Sequence, residues 1–259
     1  MSTEFTLTPG ANNLTITVIY DNNRNSEELE IAWGFSALIT GNKKTILFDT
    51  GGDGSLLLSN MKKLAIEPND IDAVVLSHIH ADHTGGLADF LQKNLNVTVF
   101  MPESFPKKLK ENIQQYGAKT VEVKESLMIC ENVYSTGQLG RLIKEQSLII
   151  RTKAGLIIIT GCAHPGIVKM LTAAKDLMKS LDPARDGNDV LLVMGGFHLE
   201  WATKGKIEKI ISSFKQTGVR YIAPCHCAGE KARSLFEKHF GKNYINIGAG
   251  KEIAAANLQ

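Results

Sequence analysis

The chain has 259 residues, 43% of them hydrophobic and 22% charged, enough apolar material for one large domain with a substantial core, here taken as 1–259. Its 29 basic residues against 27 acidic leave a formal charge of +2, which gives no support to nucleic acid or an anionic membrane surface as partner. A small-molecule substrate is expected.

No apolar run approaches the roughly 20 residues needed to span a bilayer. The segment Met1 to Phe5 lacks the basic and apolar regions of a signal peptide, so a soluble, cytoplasmic protein is expected. Cys130, Cys162, Cys225 and Cys227 do not form a disulfide-dense pattern, in keeping with a reducing compartment. Cys225 and Cys227 stand too close for a comfortable bridge.

In chain order, Leu14 to Tyr20 alternates polar and apolar residues and reads as a strand. A polar loop from Asp21 to Glu30 precedes a hairpin, Trp33 to Thr40 and Lys44 to Phe48, turning at Gly41-Asn42. Ser55 is the expected N-cap of a helix carrying Leu58, Met61 and Leu64, which stops before Pro68. The strand Ala73 to Leu76 follows, then a helix through Leu87 and Leu91, a strand Val97 to Phe100 and a polar helix over Pro106 to Tyr116. Short strands are expected near Thr120 to Val123, an edge that a homodimer could use, and Val133 to Ser135.

The second half repeats this outline. Leu148 to Thr152 and Leu156 to Thr160 are strands, and Ile167, Leu171, Ala174 and Leu181 mark an amphipathic helix. Val190 to Met194 and Tyr221 to Ala223 are strands; helices carry Ile207, Ile211 and Phe214, then Leu235 and Phe236. The pattern is mixed α and β.

Chemistry collects where four apolar strands end. Six of the seven histidines follow them (His78, His80, His83, His164, His198 and His226), and only His239 falls within an expected helix. The densest stretch is His78-Ile79-His80-Ala81-Asp82-His83. Imidazole and carboxylate at this density are ordinary ligands of zinc, iron or manganese. His78 and His80 alternate onto one side of an extended loop, where one cation can take both; Asp82 and His83 point to a second. In the glycine-rich turn Thr160 to Gly166, His164 is the candidate to complete a three-histidine site, with a purely structural role as the alternative.

His-X-His-X-Asp-His after a hydrophobic strand, with Leu47-Phe48-Asp49-Thr50-Gly51-Gly52 upstream, resembles the signature of the metallo-β-lactamase superfamily. The resemblance implies an αββα sandwich of two mixed sheets flanked by helices, a supporting role for Asp49 behind the metal ligands, and His226 as the last histidine, completing a second site with Asp82 and His83. It also implies a cofactor of two divalent metal ions, zinc first, with iron or manganese as alternatives.

The chain departs from the superfamily where a bridging aspartate usually stands, since Cys162 occupies that slot. A thiolate can bind zinc or iron, and a small buried cysteine is the alternative. Gly195-Gly196-Phe197-His198-Leu199, Thr160 to Gly166 and Pro224 to Gly229 resemble a subgroup of metal-dependent hydrolases. That subgroup includes an archaeal synthase joining a dihydropterin methyl diphosphate to ribofuranosylaminobenzene phosphate. His198 is read as a metal ligand, a donor to an anionic substrate group, or a structural residue. The same resemblance implies that Asp21 and Asn22, with Trp33 and Phe35 beside them, wall the pocket; for Trp33 a place in the core is the plainer alternative. Alternation would turn Cys225 and Cys227 away from the side His226 faces.

The leading reading is a hydrolase of a small anionic ester or phosphoester acting through metal-activated hydroxide, with Asp82 placing the hydroxide and His198 stabilising negative charge. The alternatives are the dihydropterin-diphosphate transferase and a non-hydrolytic metal-binding or redox module using Cys162, Cys225 and Cys227.

Overall fold

A computed structural model describes residues 14–182 and 189–258; the reading of Met1 to Phe5 lies outside the described residues. The chain opens with the antiparallel strands β1 (Thr15–Tyr20), β2 (Ser36–Thr40) and β3 (Ile46–Phe48). Helix α1 (Gly54–Lys63) returns it to β4 (Ala73–Val75), parallel to β3. The single turn α2 (Ala81–Thr84) and α3 (Leu87–Lys93) lead to β5 (Thr98–Pro102), and α4 (Lys107–Gln115) leads to β6 (Lys119–Val123), both strands again parallel. A second sheet begins with β7 (Leu127–Cys130), β8 (Val133–Ser135), β9 (Leu148–Thr152) and β10 (Gly155–Thr160), all antiparallel. It continues in parallel through α5 (Ile167–Leu181), β11 (Val190–Gly196), α6 (Lys204–Gln216) and β12 (Tyr221–Cys225). After α7 (Glu230–Phe240), β13 (Glu252–Ala254) pairs with β1.

The sheet orders are β13-β1-β2-β3-β4-β5-β6 and β12-β11-β10-β9-β8-β7. Alternation decides the layering. Ile157 and Ile159 of β10 point to the other sheet, joining Phe48, Val75, Leu148, Leu192 and Met194 in the central core. Ile158, between them, points outward to Met170, Leu171, Ile207, Phe214 and Phe236 on α5, α6 and α7. On the far side Leu47 and Val74 meet Leu57, Met61, Phe90 and Leu91 of α1 and α3. The result is the expected four-layer αββα arrangement, and each buried Ile, Leu or Phe contributes about 1.5–3 kcal/mol.

Some local expectations are corrected. Asp53 rather than Ser55 caps α1; its Oδ1 accepts from the Ser55 and Leu56 backbone amides at 2.8 and 3.1 Å. The Ser55 hydroxyl merely donates to the same oxygen at 2.6 Å. β7 and β13 were not expected, because three or four residues with little alternation carry no local signal; pairing to a neighbour makes them strands. β3, β4, β10, β11 and β12 all end at one edge of the two sheets, which sets where the ligand loops meet.

Candidate metal centre

The end of β4 is tied to the end of β3 through Asp49, which is fully buried. Asp49 Oδ1 accepts from the Ser77 amide at 2.6 Å, while Oδ2 accepts from the Ser77 hydroxyl and faces His83 Nδ1, both at 2.7 Å. Those bonds set the course of the following loop. His78, also fully buried, has Nδ1 2.9 Å from Ser77 Oγ. Its Nε2 faces His80 Nδ1 at 3.1 Å and His164 Nε2 at 3.2 Å.

A ring nitrogen can use its one proton for only one such contact, so three nitrogens converging this way form a donor set that a cation fits. Protonation is disfavoured there. Burial, followed by the neighbouring imidazoles, holds His78 well below the usual histidine range. Burial together with His198 and His80 pushes His164 down to about 4. Neutral imidazole is the form that ligates.

A second group comprises Asp82, His83, Cys162 and His226, with ligand atoms all within 4.8 Å of one another. His83 Nε2 lies 3.2 Å from Cys162 Sγ and 3.6 Å from Asp82 Oδ2. His226 Nε2 lies 3.2 Å from Asp82 Oδ2, yet this buried nitrogen lacks a partner aligned for a hydrogen bond. A buried donor or acceptor left open costs about 1–3 kcal/mol unless something else satisfies it, and a cation would. Burial alone would raise Asp82, but His226 and His83 outweigh it and hold the carboxyl well below its ordinary value. Burial would likewise lower His83, and the Asp49 carboxylate overrides it, raising that imidazole.

A third convergence was not expected. Cys162, His198 and Cys227 also bring ligand atoms within 4.8 Å, and the two sulfurs stand 3.3 Å apart. The Cys162 sulfur beside it and the neighbouring His198 outweigh burial and hold the Cys227 thiol below its usual range. Strand alternation stops at Cys225, because His226–Ala228 is a 3-10 turn that begins with His226 at φ 48°. Cys227 therefore swings toward Cys162, while Cys225 alone turns away as expected and meets Asp21. Gly196 makes this approach possible: a Cβ there would sit 2.7 Å from Cys227 Sγ.

Other expected residues take different places. Asp21 does not wall a pocket. It is fully buried, and its Oδ1 accepts from the Asn23 backbone and side-chain nitrogens at 2.6 and 2.5 Å. Asn22 stands behind His226, its Oδ1 3.0 Å from Nδ1, which leaves Nε2 to face the centre. Trp33 is not core: it is 48% exposed, with its ring 4.7 Å from that of His226. His198 is exposed at the rim, its ring 4.5 Å from His164.

Sequence reasoning missed Glu145. This fully buried carboxylate accepts from the Cys162, Ala163 and His164 amides at 2.9, 2.8 and 2.8 Å, pinning the whole loop after β10. Burial, only partly offset by those amides, raises it to about 7. The only local sign was a polar run, Lys144 to Ser147, abutting an apolar strand. Four non-glycine residues with left-handed backbone, Asp49, Ala163, His198 and His226, sit in these strand-end loops, as expected where strain is stored at a working site.

A family model described as the metallo-beta-lactamase superfamily matches residues 34–128. A protein of Methanocaldococcus jannaschii named 7,8-dihydropterin-6-methyl-4-(beta-D-ribofuranosyl)-aminobenzene-5'-phosphate synthase is 32% identical, over 85% of this chain and 89% of its own. Among solved structures, Tm1679, described as a metal-dependent hydrolase of the beta-lactamase superfamily, is 28% identical with a TM-score of 0.70, covering 93% of this chain and 98% of its own. YhfI of Bacillus subtilis, a metallo-beta-lactamase fold protein, is 14% identical with a TM-score of 0.67, covering 93% and 99%, and shares the fold.

Proposed function

Because the chain belongs to the metallo-β-lactamase superfamily, we propose that it is a metal-dependent group-transfer enzyme that condenses a dihydropterin methyl diphosphate with a ribofuranosylaminobenzene phosphate. The observation that carries this reading is the similarity to the M. jannaschii synthase over 85% of the chain. It displaces ester hydrolysis as the leading reading.

In this reading His78, His80 and His164 hold one divalent cation, and Asp82, His83, His226 and Cys162 hold a second. When bound, such cations supply Lewis acidity toward the oxygens of a diphosphate. Asp49 and Asn22 fix the two histidines whose outer nitrogens they face, so that His83 and His226 present Nε2 inward. Asp82, kept ionised by those same histidines, contributes fixed negative charge. His198, raised chiefly by the Cys227 sulfur, favours its protonated form and donates to an anionic group at the rim.

The bond from the pterin methylene to oxygen breaks with its electron pair leaving on diphosphate. A bond from methylene to nitrogen forms from the arylamine lone pair, and the amine proton is lost to solvent at the open side. Water competes for the same carbon.

Hydrolysis of a small anionic phosphoester is the second reading, favoured by the description of the 28% identical Tm1679. The experiment supplies both substrates to metal-loaded protein and follows the condensed pterin and diphosphate. Product that disappears in His80→Ala and Asp82→Ala, with far-UV circular dichroism unchanged, supports the synthase. Absence of product alongside turnover of p-nitrophenyl phosphate esters would replace it with the hydrolase.

A further inference from the structure

Beside the metal centre lies a cavity of about 420 Å³ lined by Trp33, His198, Glu200, Trp201, Lys206 and Cys227, among others. His198 and Cys227 connect it directly to Cys162. Two features of its wall have no structural explanation. Trp201 is 92% exposed and Trp33 48%, though an indole is among the most costly side chains to leave in water. Neither is placed by the core: Trp33 touches His226, and Trp201 stands in the short segment between β11 and α6.

The charges around the indoles are also uncommitted. Among the described residues, the Glu200 carboxylate and the Lys206 ammonium make no ion pair; the i,i+4 pair of α6 joins Lys204 to Glu208 instead. The cavity therefore offers apolar faces, one acceptor and one cation, opening onto His198.

We propose that this cavity seats a flat, fused 2-amino-4-oxo heterocycle of the pterin class. Trp201 and Trp33 are its stacking faces, and Glu200 accepts from the amino and ring N–H groups along its edge. Lys206 and His198 face the anionic substituent, which directs the exocyclic carbon toward the metal centre. Stacking and a carboxylate together select such a ring, since a plain phosphate ester offers neither a π face nor a paired donor edge. The identity of the ring rests on the synthase reading; the aromatic clamp does not.

The test is calorimetric titration of 6-hydroxymethylpterin, with ribose 5-phosphate as the non-aromatic control, into metal-loaded wild type, Trp201→Ala, Trp201→Phe and Glu200→Gln. Metal content is measured on each sample. Trp201→Ala should bind the pterin about 5- to 150-fold more weakly, the span of one lost stacking contact, with metal content unchanged. Trp201→Phe should recover most of that affinity, and Glu200→Gln should also weaken the pterin.

Unchanged pterin affinity in Trp201→Ala and Glu200→Gln would overturn the proposal. So would failure of wild type to bind the pterin, or equal weakening of ribose 5-phosphate. Turnover separates this idea from the one beneath it. Trp201-dependent pterin binding without condensation would sink the synthase and leave the clamp standing, whereas condensation by Trp201→Ala at unchanged KM would do the reverse.

Discussion

Replacing Asp49 by Asn changes almost no volume and retains a residue type that tolerates the left-handed backbone found there, φ 57°. It does change the donor pattern. Asp49 accepts three contacts, from the Ser77 amide, the Ser77 hydroxyl and His83 Nδ1, at 2.6–2.7 Å. Asn can accept with one atom only, and with that oxygen kept on the Ser77 amide its NH2 would face His83 Nδ1 and the Ser77 hydroxyl, of which only the hydroxyl can turn to accept. Hydrogen bonds to a charged acceptor contribute about 1.5–3 kcal/mol against 0.5–1.5 for neutral ones, so losing the charge from three buried bonds should cost the metal-free fold about 3–4.5 kcal/mol.

The imidazole can escape the clash by moving its proton to Nε2. That nitrogen is 3.2 Å from Cys162 Sγ, and protonated it cannot ligate, so cation affinity at the Asp82 group should fall about 10- to 100-fold. Urea unfolding of metal-free protein reads the first effect, chelator competition the second, and nitrogen-15 NMR of the His83 ring the tautomer. Wild-type cation affinity with the proton still on Nδ1 would refute the account of Asp49 as the group that aims His83.

Other outcomes follow from the same geometry. Glu145, raised to about 7 from an ordinary value of 4.5, binds more protons folded than unfolded between those values, so it costs stability as pH rises from 4.5 to 7. Glu145→Gln should remove that slope from the urea midpoints of metal-free protein measured at pH 5 and 7.5; a slope unchanged in the variant would remove Glu145 as its source. Because His78 and His164 are held below the usual range, cation occupancy of their group should persist down to about pH 5.5, where free imidazole is mostly protonated; elemental analysis across pH 5–8 checks it. Cys162→Ala should lower cation content and, in cobalt-substituted protein, abolish a near-ultraviolet sulfur-to-metal band; an unchanged band and content would leave Cys162 a packing residue. Gly161→Ala should destabilise by about 2 kcal/mol or more and release cation, because the added methyl lands on the Ser77 side chain and 3.0 Å from Asp49 Oδ2. Wild-type thermal stability would contradict that contact.

The strands are legible because burial leaves a chemical trace. β4 and β10 are buried on both faces and read as apolar runs that give way to Ser77 and Gly161, where loops begin, while β1 shows as an alternation of polar and apolar residues. The αββα arrangement came from the resemblance rather than from periodicity, which shows elements and not their neighbours. β13, with one buried residue of three, exists through its ladder to β1.

At the centre, local spacing suffices to place His78 beside His80, and Asp82 beside His83, since each pair is joined by a few bonds. The meeting of His78 with His164 across 86 residues, and of His83 with Cys162 across 79, follows from the packing of two sheets whose strands end at a common edge. Residue type indicated a ligand; only tertiary structure decided which ligands share a centre. The same distinction explains Glu145, Cys227 and Trp33. A lone carboxylate in a polar loop, a cysteine past a strand end and an aromatic after a turn carry no periodic signal. Their burial, direction and exposure are set by the chain segments that fold over them.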